Sequence, residues 1–428
     1  MCNKPIVNVL RESFIVLPYN IGNIESVVCV MAISTLKKAQ KEKFDEFYTQ
    51  YFDVESEMNA YLDFDPNVFR DKVVLLPCDD PEWSNFTRFF AQNFEFLGLK
   101  KLISTSYATE SKKFKYPLQM SIFEMEDERY NPTISQTHGK IFTLTREKTH
   151  KVNINDLKWD YLEGDGDFRS DEIKTLRDEA DIIVTNPPFS LFREFLDWIL
   201  EADKKFIILG NENDASNKEM FPLIYEGKVW LGKNSGDMEF KVPKETEPRE
   251  VRFRVDDNGQ KWISHGNICW YTNIDLARRH TELQLMTMAE NLRYNKALIK
   301  KLNEEYNTNE YPHLDNYDAI EVPLYKAIPS DYDGVMAVPV TFLKFHNPLQ
   351  FRILGCTQRG CHDEVPDIKR YDDYWEVQPN GQRTGSNGSK TNENANIEKQ
   401  DGKHNYFINE EGHVVQSLYG RIFIKHRR

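Results

Sequence analysis

Thr185-Asn-Pro-Pro-Phe189 is the segment of this 428-residue chain best suited to chemistry. It follows a short apolar run, Asp181-Ile-Ile-Val-Thr185, and precedes an amphipathic one. An amino nitrogen on an aromatic ring, as in adenine, is a poor nucleophile because its lone pair is delocalised into the ring. A catalyst activates it by accepting its two hydrogens and drawing it toward tetrahedral geometry. An Asn side-chain oxygen is one fixed acceptor. A main-chain carbonyl held by consecutive prolines, whose φ is locked, is a second. A neighbouring aromatic ring can stack on the base. Asn186, the carbonyl of Pro187 stiffened by Pro188, and Phe189 match those roles. The plain alternative for these four letters is a stiff strand-to-helix turn.

Other elements must hold that segment in place. Lys72–Pro77, Lys101–Thr105, Asp181–Thr185 and Lys205–Leu209 read as buried strands, and Lys228–Leu231 as a further short one. Between them, Ser84 caps a helix running to Phe94, with Phe86, Phe89, Phe90 and Phe94 at helical spacing. A second helix, Ser190–Leu200, gathers Phe192, Phe195, Leu196 and Ile199 on one face. Apolar strands joined by helices predict an α/β fold with a mostly parallel, doubly wound sheet. In such a sheet the carboxyl ends of the strands, where Asn186 falls, are the ligand-binding edge.

The texture changes after about residue 235. Val251–Val255 alternates, Asp256-Asp-Asn-Gly259 turns and Lys261-Trp-Ile263 resumes, which predicts a hairpin. Residues 276–304 read as helical, and Tyr406–Ile424 as a closing hairpin around Glu411-Gly412. Residues 379–405 carry almost no apolar side chains and are expected to form a mobile loop. The expected organisation is an extension over 1–30, a catalytic domain over 31–235 and a further region over 236–428. Met31 could equally be the true start, with 1–30 no part of the native fold.

A net charge of −13 excludes a simple basic DNA-coating protein but not a basic groove on an acidic body. Six Cys spread over so long a chain point to a reducing compartment, hence the cytoplasm. Cys356, Cys361 and His362 lack a second half, so no metal site is expected. No apolar run is long enough to span a membrane, and no signal-peptide pattern opens the chain.

With these residues set out, a resemblance is plain. Asn186-Pro-Pro-Phe189 is similar to the catalytic motif of amino-methyltransferases. Lys43–Gln50 resembles the Phe-Tyr-Thr cofactor motif of DNA adenine methyltransferases whose recognition region comes last, and Gly166-Asp-Phe168 their cofactor-adenine motif. Asp45–Gln50, Cys78-Asp-Asp-Pro81 with Ser84-Asn-Phe86, and Asp315–Ile320 resemble the EcoRI-type adenine methyltransferase family. The resemblance runs from about Met31 to near the C-terminus.

It implies a Rossmann-like S-adenosylmethionine-dependent methyltransferase sheet with a C-terminal DNA-recognition region. Tyr48 and Thr49 would hold the amino-acid end of S-adenosylmethionine, and Cys78, Asp79 and Asp80 would lie against its methionine part. Asp167 would accept a hydrogen bond from its adenine, with Phe168 packed on that ring. The chain departs from the wider pattern twice. Pro77-Cys-Asp-Asp-Pro-Glu82 replaces the usual glycine-rich loop, and no acid adjoins Thr105-Ser106 to hold the cofactor ribose.

The substrate implied is double-stranded DNA with the target adenine flipped out. Arg252 and Arg254 are candidate groove contacts, and Lys425, Arg427 and Arg428 candidate phosphate contacts. Solvated surface charge is the bland alternative for each. The family also implies a partner restriction endonuclease and action as a monomer. Two other functions compete: methylation of RNA or protein glutamine, and a non-catalytic DNA-binding relic. The large region after residue 235 favours DNA over the first, and the intact Asn186–Phe189 segment speaks against the second.

Overall fold

The computed structural model of the chain describes residues 49–82, 84–108, 134–146, 159–242, 252–357, 364, 365, 369–399 and 401–427. All belong to the unit Glu46–Arg428. The extension expected over 1–30, and Tyr48, Cys361, His362 and Arg428, lie outside the described residues.

Helix α1 (Tyr51–Phe64) leads into β1 (Val73–Leu76), α2 (Asn85–Gln92) and β2 (Lys101–Thr105). β3 (Lys140–Thr145), β4 (Asp160–Tyr161), α3 (Asp171–Glu179) and β5 (Ile182–Thr185) follow. Then come α4 (Phe192–Glu201), β6 (Lys205–Asn211), α5 (Met220–Tyr225), β7 (Trp230–Val242), β8 (Phe253–Val255) and β9 (Lys261–Thr272). These strands make one sheet in the order β4-β3-β2-β1-β5-β6-β9-β7, with β8 on β9. β2, β1, β5 and β6 are mutually parallel, and antiparallel strands flank them on both sides.

The parallel centre is apolar because both its faces are covered. Val73 and Leu75 join Phe195, Leu196 and Ile199 on one side, while Val74 and Leu76 join Phe86, Phe89 and Phe90 on the other. That is the two-residue alternation of a strand. Ile183, wholly buried in β5, is typical; truncation to Ala costs about 2–5 kcal/mol at such a site. The cap expected at Ser84 is present: its Oγ accepts from the amides of Phe86 (3.0 Å) and Thr87 (3.5 Å).

β7 is 13 residues long, not the short strand expected, and it runs through residue 235. The first sheet therefore draws on residues as far as Thr272. The pairing of β7 with β9 shifts register between Leu231 and Ser235, where the chain bends around the buried carboxylate of Glu57. Glu57 accepts from the amides of Lys233 (2.8 Å) and Asn234 (2.7 Å) and from the Tyr61 hydroxyl (3.0 Å). These three donors offset its loss of water. Gly232 is required there, since a Cβ would stand 2.1 Å from Glu57 Oε1.

The stretch read as helical over 276–304 contains two short helices, α6 (Met288–Tyr294) and α7 (Lys296–Lys301). Asn295 divides them, its side chain capping the second through the Leu298 amide. The rest of the chain forms two smaller sheets. Their strands are β10 (Ala319–Glu321), β11 (Val335–Pro339), β12 (Phe351–Cys356), β13 (Trp375–Val377), β14 (Arg383–Asn387), β15 (Asn396–Ile397), β16 (Tyr406–Ile408), β17 (Val414–Ser417) and β18 (Arg421–His426). The sheet orders are β10-β11-β18-β12 and β14-β13-β16-β17-β15.

Two expectations are corrected here. Residues 379–405 are not an open loop: they include β14, a 3-10 turn over Gly388–Thr391 and β15. Polar side chains do the holding that apolar ones usually do. Thr391, Asn392 and Asn396 are buried and bonded, with Thr391 Oγ1 donating to Asn396 Oδ1 (2.6 Å) and the Tyr371 amide to Asn392 Oδ1 (2.7 Å). The closing hairpin is also shorter than expected. β16 and β17 pair around Glu411-Gly412, but β18 leaves for the other sheet.

Asp315 and Asn316 fasten the last sheet. Asp315 accepts from Lys369 Nζ (2.8 Å) and the Tyr371 hydroxyl (2.7 Å), and His413 Nε2 stands 3.3 Å away. Asn316 donates to the Asn394 carbonyl (2.8 Å) and accepts from the Asn396 amide (3.0 Å).

Candidate active site

β1 and β5 end side by side, and Asp79 ties those ends together. It is 5% exposed. Its Oδ2 accepts from Thr185 Oγ1 (2.6 Å) and its Oδ1 from Ser84 Oγ (2.7 Å). Its amide donates to the Thr105 carbonyl (3.0 Å) and its carbonyl accepts from Ser104 Oγ (2.5 Å), which adds the end of β2. Burial pushes the Asp79 carboxyl up to about 7, against the pull of the two hydroxyl donors. Both carboxylate oxygens are thus engaged inside the protein.

Asn186 follows Thr185 directly. Its Nδ2 donates to Thr49 Oγ1 at 3.4 Å. Thr49, 4% exposed, also accepts from Asn85 Nδ2 through its carbonyl (2.8 Å). The segment before α1, the first residue of α2 and the loop after β5 therefore meet at Thr49. With the amide nitrogen turned to Thr49, the Asn186 Oδ1 lies on the other limb of the amide. Pro187 is buried, and Pro188 and Phe189 are half-buried. Pro188 is extended (φ −57°, ψ 121°), and its carbonyl accepts from the Leu191 amide (2.9 Å), starting a 3-10 turn over Phe189–Leu191. Phe189 packs against the cluster that contains Phe86 and Phe89.

Cys78 and Asp80 are half-buried beside Asp79. Asp80 caps its own loop, accepting from the Glu82 amide (2.9 Å). Lys140 reaches this loop from β3. It pairs with Glu82, stands 4.0 Å from Asp80 and lies over the Trp159 ring at 4.6 Å.

The loop bearing Asp167 abuts the end of β2. The Ala108 amide donates to the Asp165 carbonyl (2.7 Å). Gly166 has φ 82°, and a Cβ there would stand 2.2 Å from the Ser106 carbonyl oxygen. Asp167 is held by Arg169: Oδ1 accepts from Nε (2.8 Å) and Oδ2 from Nη2 (2.5 Å). Those bonds hold its carboxyl below the usual range despite some burial. Phe168 is 5% exposed and meets Phe195 and Trp198 edge-on at 5.1 and 5.7 Å.

Thr49, Asp79, Asn186 and Phe189 thus sit around the ends of β1 and β5, while Asp167 and Phe168 sit beside β2. The candidate DNA contacts lie elsewhere. Arg254 is exposed and gripped by Glu239 (2.8 and 2.6 Å), and Arg252 stands 3.8 Å from Asp237. Both arginines are answered by carboxylates of β7. Lys425 and Arg427 are exposed at the far end of β18 from Arg421. Among the described residues no group of three or more His, Cys, Asp or Glu could hold a metal ion, and no helix is long and apolar enough to cross a membrane. Sequence reasoning missed the parts played by Thr185, Ser84 and Asn85 in bracing the site. Hydroxyl and amide side chains near the ends of strands beside the Asn186–Phe189 segment were the available signal.

Residues 35–427 match the family described as "Adenine-specific methyltransferase EcoRI". The chain is 42% identical over 323 residues to the Type II methyltransferase M.EcoRI of Escherichia coli, covering 74% of this chain and 88% of that protein. It is 33% identical over 323 residues to the Type II methyltransferase M.MpnI of Mycoplasma pneumoniae and 32% to M.MgeORF184P of Mycoplasma genitalium. These matches cover 74% of this chain and 84% and 85% of those two proteins. No solved structure matches the chain.

Proposed function

The chain belongs to the EcoRI-type family of adenine-specific DNA methyltransferases, and from that premise we propose how its residues carry the reaction. It is a DNA adenine methyltransferase of the type II restriction-modification kind. The methyl donor in our reading is S-adenosylmethionine, which when bound supplies a methyl group on a sulfonium centre. The residues present suit it. Asp80, two residues after Cys78, offers a half-buried carboxylate to an ammonium group. Arg169 keeps Asp167 ionised yet takes only one bond at Oδ2, which leaves acceptor capacity for an adenine amino group.

The observation that carries the catalytic reading is the Asn186–Thr49 contact at the end of β5. It orients the amide so that Oδ1 accepts one hydrogen of the target amino group while the Pro187 carbonyl accepts the other. The nitrogen then moves toward tetrahedral geometry and its lone pair becomes available. As the new N–C bond formed, the donor would leave as a neutral thioether holding the electron pair of the broken S–C bond, and the surplus proton would pass from the nitrogen to water. Phe189 stacks on the base, which must leave the duplex to reach this edge. Asp79 braces the ends of β1 and β5 and the start of α2.

In this reading residues 31–235 carry catalysis and 236–428 carry target recognition, with β7 and β9 completing the catalytic sheet. The protein acts as a cytoplasmic monomer alongside a restriction endonuclease with the same target sequence. The test is to incubate purified protein and labelled S-adenosylmethionine with duplex DNA, RNA and bulk protein, then sequence the DNA with modification detection. N6-methyladenine at one sequence context is the expected product. Label on RNA or on protein glutamine but not on DNA would replace this reading.

A further inference from the structure

A cavity of about 340 Å³ lies where α5 ends and β7 begins. The 3-10 turns Ala277–His280 and Val340–Phe345, the start of β12 and the residue after β18 complete its wall. That wall carries five cations, Arg278, Arg279, Lys344, Arg352 and Arg427, against two carboxylates, Glu226 and Glu364. Both carboxylates are taken. Lys228 pairs with Glu226 (2.7 Å), and Arg352 (2.5 Å) and the Tyr225 hydroxyl hold Glu364. Lys344 pairs with the buried Glu212 (2.8 Å) and Arg279 with Asp275 (3.1 Å). Arg278 and Arg427 remain, and neither has an ion-pair partner among the described residues.

Arg278 is held in place by neutral groups. Its Nε donates to the Lys344 carbonyl (2.5 Å) and its Nη1 to the Lys233 carbonyl, and it lies over the Phe345 ring at 5.0 Å. Its Nη2 is buried with no hydrogen-bond partner among the described residues. Burial holds its guanidinium below the ordinary value, and the carboxylate it feels, Glu57, is already spent on the amides of Lys233 and Asn234. A cation so placed is costly until an anion answers it. Arg279 is fixed over the Trp230 ring at 3.7 Å. Burial, and then the charges of Arg279 and Arg427, bring the His346 ring down to about 4, so it stays neutral and donates from Nε2 to the Phe351 carbonyl (3.2 Å).

The cavity stands apart from the catalytic edge. Trp230 Nε1 donates to the Ile274 carbonyl (3.0 Å), and the neighbouring Asn273 accepts from the Phe206 amide (2.9 Å) at the start of β6. Asn186 instead follows the end of β5, which runs parallel to β6, and β6 and β9 stand between β5 and β7.

We propose that this cavity binds the phosphoryl group of a small phosphorylated molecule, at a site separate from the DNA. Planar guanidinium forks match phosphate oxygens two at a time, and they give up hydration more readily than an ammonium group does. The volume is that of a small-molecule pocket, and a duplex whose adenine reaches Asn186 engages the other end of the sheet.

The experiment titrates the full chain with inorganic phosphate by calorimetry at constant ionic strength, with chloride as the control. Wild type, Arg278→Gln, Arg427→Gln and Lys425→Gln are compared, and each fold is checked by thermal unfolding. Wild type should bind one phosphate, and Arg278→Gln and Arg427→Gln should each bind it about tenfold more weakly. Lys425→Gln, which removes a charge from β18 outside the cavity, should bind as wild type does. Arg278 also bonds two main-chain carbonyls, so if its variant fails to fold, the exposed Arg427 decides the outcome. Saturating the protein with a duplex bearing the methylated sequence should leave phosphate affinity unchanged. No phosphate binding by wild type, or an equal loss in Lys425→Gln, would overturn the proposal. Displacement of phosphate by the duplex would also overturn it, by assigning these cations to DNA.

Discussion

Asp79 and Thr185 join the ends of two adjacent parallel strands through a 2.6 Å hydrogen bond, one residue away from Asn186. The bond makes the strand ends next to Asn186 sensitive to the ionisation of one carboxyl. Burial raises the Asp79 value from 3.8 to about 7. A folded value above the unfolded one means that the native state binds the proton more tightly. Its stabilising contribution is fully present below 3.8 and is lost as pH rises through 7. The shift corresponds to a loss on the order of 4 kcal/mol. Thermal unfolding from pH 5 to 8 should show wild type losing stability that Asp79→Asn retains. Parallel curves for the two proteins would remove Asp79 as the cause.

Asn186→Ala should abolish methyl transfer while leaving methyl-donor affinity largely intact, because only the acceptor for the target amino group is lost. Thr49→Val removes the hydroxyl that orients that acceptor and should lower turnover about tenfold, with Thr49→Ser restoring most of it. Near-normal turnover in Asn186→Ala, measured on cognate duplex, would sink the central assignment.

Asp167→Ala should weaken S-adenosylmethionine binding by about 1–3 kcal/mol, the range for a lost hydrogen bond to a charged group. Arg169→Ala should act in the same direction but less, since the carboxylate remains without its guanidinium partner. Titration calorimetry reads both, and unchanged affinity in Asp167→Ala would take that residue out of the cofactor site.

A chain shortened to begin at Met31 should fold and methylate as the full chain does. Every motif assigned above lies after that point, and the family match begins at residue 35. Loss of solubility or activity on shortening would show that residues 1–30 are part of the working protein.

The strands of the parallel centre, the Ser84 cap and the β8–β9 hairpin were legible because each is written locally. They show as a run of apolar residues, a capping hydroxyl and an Asp-Asn-Gly turn. The bracing of the site was not legible. Asp79 meets Thr185 across 106 positions and Asn186 meets Thr49 across 137, and single hydrogen bonds at such separations leave no periodic trace. The length of β7 was hidden because Gly232 and Gly236 interrupt its apolar run, and Gly232 makes room for Glu57. The sheet from β13 to β17 was mistaken for a loop in part because its interior uses Asn and Thr where pattern reading looks for Leu and Val.

The fastening of that last sheet limits how it could be exchanged between relatives. Asp315 and Asn316 lie more than fifty positions before most of their partners, yet they supply the sockets for Lys369, Tyr371, His413, Asn394 and Asn396. A graft that replaces residues 369–417 alone would leave those sockets facing strangers. A transplant that carries residues 315 and 316 with it keeps the donor's own fittings. The short motif from Asp315 to Ile320 is therefore better understood as a mortise for a removable part than as a piece of the catalytic apparatus.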